Sequence, residues 1–281
     1  LAKKSLDGDD RLRLKVYSAA GPLALSDVVP ALEHFGFEVL EEIPTALHQA
    51  RTYGSDGDED LPIVIHDFTL RLPASVDERA LLPYAEVIEH AIAAVLDGRA
   101  ENDAFNELVL TNQIDPRAIV WLRAWFRYLR QGGSAYGMDT VVSALRHAPT
   151  LTKALIDRFQ ALHDPKQRDD ERAAVLDADI LAGFADIKSI DEDRILRLFH
   201  AVIGATLRTN AFAPAAAEAL AFKIDSSLVP GLPKPLPWRE VWVYSPRVEG
   251  VHLRAGPVAR GGLRWSDRRD DFRTEILGLM K

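Results

Sequence analysis

Two guanidinium groups flanking a double glycine are the part of this sequence best suited to binding chemistry. Arg260 and Arg264 bracket Gly261, Gly262 and Leu263, and Ser266, Asp267, Arg268 and Arg269 follow directly. An arginine can grip a small carboxylate with two parallel hydrogen bonds. A Gly-Gly step lets the backbone come close to a ligand and adopt positive φ. Ser266 and Asp267 have the form of a helix start or an Asx turn, and "DDFRTEILGLMK" keeps helical spacing at Phe272, Ile276, Leu279 and Met280. The chemistry expected is the holding of a small anion. Arg260, Gly261, Gly262 and Arg264 would bind it, with Ser266, Asp267, Arg268 and Arg269 in support. The plainer alternative, favoured for Arg268, Arg269 and Arg273, is a charged corner in which arginines pair with Asp267, Asp270, Asp271 and Glu275.

The rest of the composition narrows the field. The net charge of -8 argues against general affinity for nucleic acid. From Arg247 to Lys281, however, eight Lys/Arg face five Asp/Glu, a local balance of +3 that suits a local anion site. The eight His residues are scattered with no two within five positions, and no metal site is expected. Cysteine is absent, which excludes thiolate catalysis, and with no apolar signal core the cytoplasm is the natural reading. No stretch approaches a membrane span. The first residue is not Met, so an internal piece of a longer chain is expected. Neither G-x-x-x-x-G-K-[ST] nor G-x-G-x-x-G occurs, so no nucleotide cradle is encoded. The acidic run Asp56, Asp58 and Asp60 lacks the glycine and glutamate of a calcium loop and reads as a solvated turn.

The elements that must carry these residues read as α+β. "RLRLKVYS" alternates as a strand, "LSDVVPALEHFGF" as a short helix capped by Ser26 and ended by Gly36, "EVLEEIPTALHQA" as a weaker strand with Pro44 at a bend or edge, and "LPIVIHDFTLRL" as a clear strand. From Asp77 to about Thr209 the chain reads as mainly helical. "DPRAIVWLRAWFRYLRQGG" has Asp115 as its cap and Pro116 in its first turn. Its Trp121, Trp125 and Tyr128 read as core, and its Arg117, Arg123, Arg127 and Arg130 as a solvated, salt-bridged face. In "SIDEDRILRLFHAVIGATLRTN" Asp191 is the expected cap, and Leu207 belongs to the buried face. Four prolines between Val229 and Arg239 mark a boundary or crossover, after which "EVWVYSPRVEG" and "GVHLRAGPVARGGLRW" read as strands.

These residues together resemble a known family. "VYSPRVEGVHLRAGPVARGGLRWSDRRDDFRTEILGLMK" is similar to the start of the catalytic domain of the large NAD-specific bacterial glutamate dehydrogenases. "HFGFEVLEE", "IHDFTLRLP", "ENDAFNELVL" and "LRAWFRYLRQGG" agree with the same family. The resemblance implies an ACT-like α+β module over 1–76, a helical region over 77–210, and over 211–281 the first strands of an α/β catalytic, substrate-binding domain. It implies oxidative deamination of L-glutamate to 2-oxoglutarate, with NAD as cofactor of the full-length protein and no NAD site in this piece, and a homo-oligomer. Smaller members of the family have Lys where this chain has Arg260, and that Lys helps bind the side-chain carboxylate of glutamate. The catalytic lysines lie further along than Lys281, so no catalytic residue is expected here. The rival reading is a non-enzymatic regulatory or oligomerisation module that binds an amino acid or a partner subunit.

Overall fold

A computed structural model describes residues 11–19, 21–47, 63–265 and 270–280. The chain divides into two compact units, Leu1–Pro116 and Arg117–Lys281. The architecture is α+β, and Asp56, Asp58 and Asp60 lie outside the described residues.

The first unit is built on alternation. β1 (Arg11–Ser18), β2 (Glu38–Leu47) and β3 (Ile63–Arg71) form an antiparallel sheet in the order β1-β3-β2. Strand β3 buries every second residue, Val64, His66, Phe68 and Leu70, as a period of two demands of a one-faced sheet. Helix α1 (Leu25–His34) joins β1 to β2 and buries Val28, Ala31 and Leu32. Gly36 ends it at φ +92, where a side chain would be strained. Ser26 is not the cap. Ala24 holds that position without a side-chain bond, and Ser26 sits inside the first turn. After β3 come the short α2 (Glu78–Leu81), α3 (Ala85–Leu96) and α4 (Glu107–Thr111). Buried His66 accepts the Leu23 N–H at Nε2 (3.1 Å), so its proton lies on Nδ1, which faces Glu42 Oε1 at 2.8 Å.

The second unit is organised around one helix. α5 (Pro116–Gln131) is followed by α6 (Met138–His147), α7 (Pro149–His163), α8 (Asp170–Gly183) and α9 (Ile190–Ala205). Then β4 (Thr206–Thr209), β5 (Leu220–Ile224), β6 (Arg239–Tyr244), β7 (Val248–Ala255) and β8 (Val258–Trp265) run as an antiparallel meander in sequence order. α10 (Phe272–Gly278) follows the last strand. Trp121, Trp125 and Tyr128 of α5 are buried core, as their spacing predicts. The Trp125 ring lies 4.9 Å from Phe159 and 6.3 Å from Phe222 of β5, and the Trp242 indole N–H donates to the Ala124 carbonyl at 3.0 Å. α9 is capped by Ser189, not Asp191, and ends before Leu207, which is an exposed residue of β4.

The arginines of α5 do not form one solvated face: Arg117 at its start is exposed, but the other three are buried or half-buried. Arg123 is buried, Arg127 is largely so, and Arg127 and Arg130 reach carboxylates of β7 and of the residues before α10. Burial on nearly every side of α5 forces its cations to find acids inside the unit.

A candidate carboxylate site on the last strand

Strand β8 pairs with β7 through Arg260↔Leu253, Gly262↔Val251 and Arg264↔Glu249. All three β7 partners are buried, so Arg260, Gly262 and Arg264 share the inner face of the sheet. Gly261 and Leu263 point to the opposite, exposed face with His252.

The two glycines therefore do not make a turn. The β7–β8 turn is Gly256–Pro257, with Gly256 at φ +63. Gly261 and Gly262 lie inside the strand, and each has its own reason for lacking a Cβ. At Gly261 a Cβ would come within 2.8 Å of the Val251 carbonyl oxygen and 3.1 Å of the His252 Cα, both backbone. At Gly262 it would meet only the rings and methyls of Phe272 and Ile276, at 3.5 and 3.6 Å. Helix α10 thus lies over Gly262.

The two arginines are not equivalent. Arg264 is committed to α10: Nη1 is 3.3 Å from Asp271 Oδ1, Nη2 contacts Glu275 Oε2, and the guanidinium stands 4.8 Å from the Phe272 ring centre. Arg260 is exposed, and among the described residues its side chain donates only to the Ala259 carbonyl, at 2.9 Å. Of the pair, Arg260 is the one with no carboxylate partner among the described residues. Ser266, Asp267, Arg268 and Arg269 lie outside the described residues.

A buried polar network beneath the strand was not foreseen. Arg273 is fully buried, with Nε 2.7 Å from Glu240 Oε2 and Nη2 3.2 Å from Oε1. Glu240 also accepts from the Tyr128 hydroxyl (2.5 Å) and the Ser226 hydroxyl (2.7 Å). Burial, followed by the Glu240 charge, raises the Tyr128 phenol well above its usual value of 10.0. Gln131 bridges two elements: its amide N–H donates to Glu249 of β7 at 3.1 Å, and its carbonyl accepts the Arg273 backbone N–H at 3.0 Å. Arg127 reaches Glu249 at 2.6 Å, and Arg130 Nε reaches Asp270 at 3.0 Å. The expected corner pairing is thus partly replaced. Asp271 and Glu275 do pair with the nearby Arg264, but Asp270 is held by α5 and Arg273 by Glu240. One signal for Glu240 existed: it shares strand parity with Trp242 and Tyr244, which marks it as facing inward.

Among the described residues no cluster of His, Asp or Glu could hold a metal ion, and no helix is long and apolar enough to cross a membrane. The second sheet is antiparallel throughout, without the parallel β-α-β crossover behind a glycine loop that cradles a dinucleotide.

The fold defines an α+β module and, after it in sequence, a helix-backed antiparallel sheet whose last described strand carries Arg260 and Arg264 on one face. Residues 2–81 match the family description "Glutamate dehydrogenase, ACT3 domain", residues 100–165 "Glutamate dehydrogenase, helical motif 3", and residues 179–281 "Bacterial NAD-glutamate dehydrogenase, catalytic domain". The chain belongs to the family of bacterial NAD-specific glutamate dehydrogenases. It is 41% identical over 285 residues to the NAD-specific glutamate dehydrogenase of Pseudomonas aeruginosa, a match covering 98% of this chain and 17% of the relative. It is 44% identical over 275 residues to the enzyme of that name from Mycobacterium tuberculosis, covering 92% of this chain and 16% of the relative. The Halomonas elongata protein is 40% identical, with 96% and 16% covered. The chain therefore spans about a sixth of the length of these relatives.

Proposed function

We propose that this chain is part of an NAD-dependent glutamate dehydrogenase, in which L-glutamate, NAD and water give 2-oxoglutarate, ammonium and NADH. Its own contribution is to hold the substrate: Arg260 grips the side-chain carboxylate, and Gly262 keeps the inner face of the strand low beside it. The observation that carries this reading is the contrast between Arg264, neutralised by Asp271 and Glu275, and Arg260, which faces the same side with no carboxylate partner among the described residues. Arg260 would orient the α-carbon for hydride loss and move no proton. The proposed division is an ACT-like module over 1–76, a helical region over 77–210 and the start of the substrate-binding domain over 211–281. Those are segments of sequence; in packing, α5–α9 and the second sheet share one core. NAD as the oxidant, a homo-oligomer and a cytoplasmic setting belong to the same proposal.

The test is Arg260→Ala in the full-length enzyme. A lost charge-assisted hydrogen bond of about 1.5–3 kcal/mol predicts a glutamate KM raised roughly tenfold to hundredfold, with the NAD KM unchanged. An unchanged glutamate KM would remove Arg260 from the site.

A second reading has its own observation. In the first unit a cleft of ≈ 440 Å³ is lined by Arg11, Arg71, Glu38, Gly36 and Pro73. Arg71 and Glu38 pair there at 2.6 Å, so a ligand would have to exchange with that ion pair; cations and a carboxylate in one cleft are the groups an amino acid zwitterion would engage, which favours a regulatory role for that unit. Calorimetry with a panel of amino acids, on wild type and Arg71→Ala, tests it; heat that survives the substitution points elsewhere.

A further inference from the structure

Resting on the reading of Arg260 above, we infer that α5 is a positioning helix for the substrate strand, acting through Arg130, Asp270 and the first turn of α10. The segment that matches the helical motif, 100–165, contains α5; the segment that matches the catalytic domain, 179–281, contains β8 and α10. The structure joins them by direct contacts.

The connection is short. Asp270 is held by Arg130 through Nε at 3.0 Å and through Nη2, and lies 3.5 Å from Arg127 Nη1. Arg130 is itself braced by the carbonyls of Ser134 (2.9 Å) and Tyr136 (3.3 Å), so it is a fixed anchor. One residue past Asp270, Asp271 pairs with Arg264. Two residues past it, Phe272 lies over Gly262. Three residues past it, the Arg273 backbone is bonded to Gln131 of α5. Both strand positions so fixed, 262 and 264, lie on the inner face with Arg260, and Gly262 is the next residue to it on that face.

A ligand-gripping arginine must be held to within a fraction of an ångström by elements that do not touch the ligand. Arg130 and Asp270 meet that description. Among the described residues neither is bonded to Arg260, yet they set where α10 sits, and α10 decides which guanidinium of β8 is neutralised. If α10 drifts from β8, Arg264 loses Asp271 and Glu275, and a second uncommitted cation appears on the face that Arg260 serves.

The experiment uses the full-length enzyme with Asp270→Asn, Arg130→Gln, Arg130→Lys, Arg260→Ala and, as control, Lys153→Ala on the exposed side of α7. Misplacement by about an ångström can cost a large factor, so a glutamate KM raised roughly five- to twentyfold is expected for Asp270→Asn and Arg130→Gln. The NAD KM and the melting temperature should stay near wild type, and Arg130→Lys should recover part of the glutamate KM. If Asp270→Asn leaves the glutamate KM unchanged while Arg260→Ala raises it, the positioning role is wrong and the substrate reading stands. If both KM values rise together, or the melting temperature falls in step, the contact is merely structural and the inference is overturned. If Arg260→Ala itself has no effect, the substrate reading fails and the inference goes with it.

Discussion

Arg273 meets Glu240 through two hydrogen bonds, Nε to Oε2 at 2.7 Å and Nη2 to Oε1 at 3.2 Å, and both side chains are essentially sealed from water, at 0% and 1% exposure. A pair so buried is costly to form and more costly to break, because the survivor keeps its charge without a partner.

Arg273→Ala should therefore destabilise the chain by about 3–5 kcal/mol, whereas the double change Glu240→Leu with Arg273→Met should cost much less. Urea denaturation of the two variants checks this. Equal losses would show that the pair is less isolated than its burial implies.

The adjacent glycines should respond differently to the same methyl group. Gly261→Ala drives a Cβ to 2.8 Å from a strand carbonyl that has no freedom to move, and should cost about 1–3 kcal/mol. Gly262→Ala meets side chains at ordinary contact distance and should cost less than about 1 kcal/mol. Thermal melts of both variants give the comparison directly.

Tyr128 ties stability to alkaline pH. Its folded phenol is raised above 10.0, first by burial and then by Glu240, so between pH 10 and that higher value the unfolded chain holds fewer protons than the folded one. Stability present below pH 10 should be lost as pH rises through that window. Tyr128→Phe should flatten the loss while costing about 1.5–3 kcal/mol at neutral pH for the buried bond to the Glu240 carboxylate. Denaturation series from pH 8 to 11.5 would show both effects.

His163 does the same on the acid side. Burial, then Arg168 and Arg158, lower it from 6.5 to about 4, and among the described residues its buried Nε2 has no hydrogen-bond partner. Between those values the unfolded chain takes up a proton that the folded chain refuses, so stability falls as pH drops from 6.5 to about 4. After allowance for its partial exposure, the loss is on the order of 2 kcal/mol. His163→Asn should remove that slope; a slope unchanged by the substitution would assign it to the carboxylates instead.

The sequence revealed what is local and concealed what is distant. The alternation in "RLRLKVYS" marks β1 from end to end, and Gly256–Pro257 between two apolar runs marks the last hairpin. Arg260 and Arg264 stand out by spacing, but the difference between them does not, since it depends on a helix folding back onto the strand. Gln131 meets Glu249 and Arg273 across 118 and 142 residues, a separation no pattern reports. The α5 arginines look solvent-facing because arginine usually is. The corrective signal was that Ala118, Ile119, Trp121, Leu122, Ala124, Trp125, Phe126, Tyr128 and Leu129 occupy nearly the whole circumference, leaving little wet side beyond Arg117 in the first turn.

That one helix serves as the floor of the sheet has a practical consequence for dissecting the protein. A piece of chain begun at Ala211 would keep β5 to β8 and α10 yet lose the carbonyl of Ala124 that receives Trp242, the hydroxyl of Tyr128, and the side chains of Arg127 and Gln131 that satisfy Glu249. Its inner face would be apolar, wet and studded with unanswered carboxylates, a recipe for precipitation. Any cut intended to yield a tractable sheet has to fall before Arg117, so that helix and strands travel together.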